Sequence, residues 1–144
     1  MQYHYSNEEE INKLITEFTN QILPIERWTH EAHLIVALWF LNRYTMEEAA
    51  CYLRSGIISY NTHVGTENSP VKGYHETMTL FWIKVIDNYL KINKAENLLT
   101  TCNNFLNSPF SSRDYPLKFY SRELIFSTKA RAFWTEPDLE KLPG

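Results

Sequence analysis

Apolar residues return every three or four positions along most of this chain, and the spacing predicts helices throughout. Ile11, Leu14, Ile15, Phe18 and Ile22 share one face of an amphipathic first helix, which stops before Pro24. Ser6 and Glu9 have the spacing of a capping box, and Glu8, Glu9 and Glu10 suit the positive end of a helix dipole. The stretch 28–41, WTHEAHLIVALWFL, is different. It is apolar around nearly its whole circumference, which places it at the centre of a bundle. Thr29 is its N-cap, and Asn42 and Arg43 mark its exit. Thr45 and Glu48 form a second capping box, opening a third helix at Met46 with Ala49, Ala50, Leu53, Ile57 and Tyr60 inward. Gly56 costs that helix roughly 1 kcal/mol relative to alanine, unless close packing demands a small residue.

Residues 60–73, YNTHVGTENSPVKG, hold the densest group of turn formers and predict a loop. A fourth helix begins near Gly73, with His75, Met78, Thr79, Trp82, Ile86 and Tyr89 on one face and Leu80, Ile83 and Leu90 on an adjoining one. A fifth spans 95–106, with Leu98, Leu99, Cys102, Phe105 and Leu106 inward. After the polar break SPFSSRDYP come short helical pieces capped by Ser121 and Ser127, with Phe126, Phe133 and Trp134 as anchors. No strand alternation and no repeat interrupts this pattern. The expectation is an all-α, single-domain (1–144) antiparallel helical bundle of five to six helices with a C-terminal tail of short helices.

Composition narrows the function classes. A chain of 144 residues suits one domain with an independent core. A net charge of −3 and no block of Lys and Arg give no electrostatic reason for nucleic acid. The longest apolar run, Leu34 to Leu41, is short of the roughly 18–20 residues of a membrane span. The start, MQYHYSNEEE, lacks the basic and apolar regions of a secretory signal, so the expected location is the cytoplasm. Cys51 and Cys102 then read as two reduced, buried thiols. Nothing in the sequence sets the oligomeric state.

Candidate chemistry gathers at the helix starts. His30 and His33 lie one turn apart in the first turn of the second helix, so their side chains point the same way and suit one metal ion. His75 and Glu76 open the fourth helix. In an up-down bundle the second and fourth helices run parallel, which brings His75 to the end that holds His30 and His33. The third helix runs the other way and delivers Tyr60 and Asn61 there, with loop 64–73 crossing above as a lid. The expected site therefore has His30, His33 and His75 as ligands of a divalent metal, zinc or iron. Glu76 and Glu31 sit beside ligands in sequence and point about 100° away, which suits proton transfer better than coordination. Tyr60, Asn61 and Tyr74 complete the substrate side. The alternative is a metal-free module in which the same histidines hydrogen-bond a small molecule, or a purely structural helical protein. His63 and His4 are expected on the surface. Arg122, Lys129 and Arg131 form a basic cluster in the tail, read either as an anion site or as a solvated face.

W-x-H-x-x-H-L at 28–34, Y-N at 60–61, Y-H-E-T at 74–77 and Y-S-R-E at 120–123 together resemble a bacterial family of small, uncharacterised all-helical proteins. The likeness runs from residue 28 to about residue 138. It implies a helical, cytoplasmic, bacterial protein and groups His30, His33, His75, Glu76 and Asn61 as one set. As a bundle with three histidines the chain is also similar to the DinB-like metal-binding helical proteins, a likeness of architecture that carries no activity with it.

Overall fold

A computed structural model describes residues 4–93 and 95–144. It is all-helical, with no strand among the described residues. Five main helices are α1 (Glu8–Thr19), α2 (His30–Arg43), α3 (Met46–Val64), α4 (Glu76–Ile92) and α5 (Leu98–Leu106). The tail adds α6 (Arg122–Ile125) and α7 (Thr128–Ala132), with short 3-10 turns between the longer elements. No described helix is long and apolar enough to cross a membrane.

The caps explain most boundaries. Thr29, Thr45, Ser121 and Ser127 cap α2, α3, α6 and α7 with their hydroxyls, as the sequence predicts. Thr45 and Glu48 close the full reciprocal box. The cap of α1 is Asn7, which accepts from the Glu10 amide, so the predicted Ser6–Glu9 pairing is one residue out of register. Asparagine caps at least as well as serine, and the shift leaves the buried face intact. The fourth helix starts later than expected, because His75 itself is its N-cap: ring Nδ1 accepts from the Met78 amide. The fifth starts at Leu98 behind an Asn97 cap, not at residue 95.

Helix α2 is the hub. It packs against α1, α3, α4 and α5, and Leu34, Ile35, Val36 and Leu38 are essentially inaccessible. One continuous cluster of buried apolar side chains draws on α1 through α6. Gly56 has a packing reason: a Cβ there would come within 2.9 Å of the Phe18 ring. Phe18 in turn stacks on Trp28 at 4.7 Å between ring centres, and Trp28 stacks on His33 at 3.7 Å.

The tail is held differently from the expectation. The Phe126 and Phe133 side chains are 58% and 68% exposed and do not serve as anchors, whereas half-buried Trp134 lies under Lys84 Nζ at 5.1 Å; Phe119, Tyr120, Ile125 and Ala130 are buried. Four polar latches tie the tail to the start of α4. His75 Nε2 donates to the Ile125 carbonyl (2.6 Å), Thr77 Oγ1 to the Phe133 carbonyl (2.7 Å), and the Thr135 amide to Thr77 Oγ1 (3.2 Å). Arg131 donates to the Gly73 carbonyl (2.8 Å), which assigns one member of the basic cluster to structure. Cys102 is buried as expected, whereas Cys51 lies exposed on the outer side of α3.

Candidate functional site

The starts of α2 and α4 and the end of α3 meet around one open cavity of about 510 Å³. This is within the usual range for small-molecule sites. Leu34, Ala37, Leu53, Ile57 and Met78 supply apolar walls, and Trp28 and Trp82 the aromatic ones. His30, His33, His75, Asn61 and Tyr74 all line it, so the structure brings five of the sequence-derived residues together. Thr29, Thr66, Thr79 and Arg113 also contribute.

Backbone geometry fixes the hydrogens. A carbonyl only accepts, so each histidine facing one must donate to it. His30 Nε2–H donates to the Ser111 carbonyl at 2.8 Å, which leaves Nδ1 as the nitrogen not used by the protein. His33 Nδ1–H donates to the Thr29 carbonyl at 2.6 Å, and its lone pair is on Nε2. Burial pushes the His33 pKa down to about 4, with the charges of His30 and Arg113 acting the same way against the Thr29 bond. It is therefore neutral at pH 7. Asn61 is fixed by a longer chain of reasoning. Asn68 Oδ1 accepts from the Tyr74 amide and Asn68 Nδ2 donates to the Ile58 carbonyl, so its orientation is settled. Asn61 must then present Nδ2 to Asn68 Oδ1 (3.0 Å), which leaves Oδ1 on its other side.

Several expected roles change. His75 lines the cavity, but Nδ1 accepts from Met78 and Nε2–H donates to Ile125, so it has no lone pair left for a metal. Burial lowers its pKa as well. Glu76 is held by Arg54 through two bonds, 3.0 and 2.7 Å, and by the Tyr74 hydroxyl at 2.6 Å. Burial works to raise the Glu76 pKa, but these bonds outweigh it and the net shift is down, which makes a poor proton carrier. Glu31 is exposed and does not line the cavity. Tyr60 is wholly buried, and its hydroxyl donates to the Leu23 carbonyl at 2.8 Å, away from any ligand. Tyr74 stays in the wall with its hydroxyl committed to Glu76; burial and then that bond push its pKa up. Among the described residues, no three His, Cys, Asp or Glu side chains are grouped to hold a metal ion.

The loop predicted as a lid is tied down. Gly65 in the left-handed region ends α3 in a Schellman motif, with the Thr66 amide on the Asn61 carbonyl (2.8 Å). That motif sets Asn61 and Thr66 side by side in the wall. Gly73, at φ 85, lets the returning chain pass the Glu67 carbonyl, whose oxygen a Cβ there would overlap. Asn68 and Arg131 fasten the rest. Arg113, Thr66 and Thr79 were missed by sequence reasoning. Arg113 lies in a polar break with no pattern around it, and only folding brings it to the mouth.

Comparisons with protein-family models, with curated proteins and with solved structures match nothing to this chain. The likeness to a bacterial helical family thus rests on the residues at 28–34, 60–61, 74–77 and 120–123 alone.

Proposed function

We propose that this protein binds a small molecule in the cavity between α2, α3 and α4, with His30, His33 and Asn61 as its hydrogen-bonding groups. One observation carries the reading. In a space with largely apolar walls, His30 and His33 each spend a ring N–H on a backbone carbonyl and Asn61 spends an amide hydrogen on Asn68, which leaves the second ring nitrogen of each histidine and Oδ1 of Asn61 for a ligand. These acceptors are open to the cavity, where a bound molecule's N–H or O–H groups can take the place of water. Asn61 is only 7% exposed and lines the cavity, so it is a polar group held at the inner wall.

Protein-observed NMR with indole and benzamide as probes tests this. Saturable shifts should cluster at residues 28–37, 57–66 and 74–82 and vanish in Ile57→Trp, which fills the cavity from its half-buried wall. Shifts scattered over the surface, or unchanged in the variant, would overturn the reading.

A metal-dependent activity is the second reading, favoured by the two free imidazole nitrogens of His30 and His33. It keeps those two as ligands and needs the remaining positions filled by Asn61, water or substrate. Elemental analysis of protein purified without added metal separates the two. A stoichiometric metal that is lost in His33→Ala supports this second reading.

A further inference from the structure

We infer that the ligand of this cavity is an uncharged molecule that presents hydrogen-bond donors to the inner wall, of the carboxamide or lactam class. This rests on the small-molecule reading above and names the chemistry it would take.

Most polar groups of the inner wall have an N–H or O–H committed to other parts of the protein. His30, His33 and His75 each spend their ring N–H on a carbonyl. Asn61 spends one of its two Nδ2 hydrogens on Asn68, the Tyr74 hydroxyl goes to Glu76, and the Thr79 hydroxyl goes to the His75 carbonyl at 2.9 Å. On the inner wall a ligand meets Nδ1 of His30, Nε2 of His33 and Oδ1 of Asn61, while Thr29, Thr66 and Arg113 bring donors to other parts of the lining, where the carbonyl of an amide finds a partner. These atoms are open to the cavity. Among the described residues, Trp39 Nε1 is the one side-chain polar atom both sealed from solvent and without a partner.

Acceptors in a row repel a carboxylate or phosphate oxygen and attract N–H or O–H. Charge at the mouth excludes the other obvious donor, an ammonium group. No Asp or Glu lines the cavity, and Arg113 stands at its edge. A cation would meet a like charge and no counter-ion. A neutral amide satisfies the lone pairs without either conflict. Its flat shape suits walls made by Trp82 on one side and the Trp28–His33 stack on another.

Four probes with one ring and nearly one volume separate the possibilities: benzamide, methyl benzoate, benzoate and benzylamine, titrated by NMR at pH 7.5. Benzamide should bind at least tenfold tighter than the other three. In His33→Phe, which keeps a ring against Trp28 and removes the lone pair, that advantage should shrink several-fold while methyl benzoate is unaffected. His30→Phe provides the same comparison if His33→Phe does not fold. Equal binding of all four probes would overturn the donor-bearing class and leave the small-molecule reading standing. Preference for benzoate would overturn it in favour of an anion held by Arg113, and preference for benzylamine would overturn it outright. Binding of none would overturn both.

Discussion

His33 shows how a single residue links stability to pH here. Its ring is stacked on Trp28, bonded to Thr29 and neutral, with a pKa near 4 against about 6.5 for a free imidazole. Below pH 6.5 the unfolded chain takes up a proton that the folded chain refuses. Protons then favour the unfolded state, and stability falls as the solution is acidified. Between pH 7 and pH 5 the loss from this residue is about 2 kcal/mol. His75, also shifted down, adds in the same direction. Urea unfolding at the two pH values should show this loss, and His33→Gln should reduce it. An equal loss in the variant would mean that other groups set the acid sensitivity.

At the level of the elements, helix ends and close approaches decide what a substitution does. Gln21 closes α1 at φ 62, with its own amide on the Phe18 carbonyl and the Ile22 amide on that of Glu17. This is the Schellman geometry that α3 builds on Gly65. Glutamine at that position carries left-handed strain, so Gln21→Gly should raise stability by about 0.5–1 kcal/mol in chemical denaturation. Gly56→Ala should do the reverse of what helix propensity suggests. The added methyl meets the ring of Phe18, and overpacking of this kind costs about 1–3 kcal/mol. Because Phe18 leans on Trp28 and Trp28 on His33, the same variant should move the His33 resonances in an NMR spectrum. These details also mark what the sequence made legible. Periodicity and capping residues identify α1 to α5 and even the two short tail helices, because those signals are local. The shared end of α2 and α4, and the meeting of three histidines there, followed from alternation of helix direction. The tautomers of His30 and His75 and the commitment of Glu76 to Arg54 depend on partners 22 to 81 residues away, for which no local pattern exists.

The whole molecule is closed by its tail. Thr77, fully buried, holds the Phe133 carbonyl and the Thr135 amide with one hydroxyl, and Tyr120 adds a bond to the Thr135 carbonyl at 2.6 Å. Thr77→Val keeps the shape and removes both bonds, so it should cost about 1–3 kcal/mol. Limited proteolysis should then cut between residues 120 and 135 faster than in the parent protein. Unchanged cleavage would show that apolar packing of Tyr120 and Ile125 suffices. The same latches have a consequence for synthesis on the ribosome. The walls of the cavity come from residues 25–82 together with Arg113, but His75 waits for Ile125, 50 residues later in the chain. At roughly 5–20 residues per second, the nascent chain spends about 3–10 seconds with its central helix made and that imidazole unanchored. Helix α2, apolar on nearly every side, is made early and covered only as α3, α4 and α5 follow it. A cell making this protein has good reason to shield the emerging chain until α5 folds down on α2.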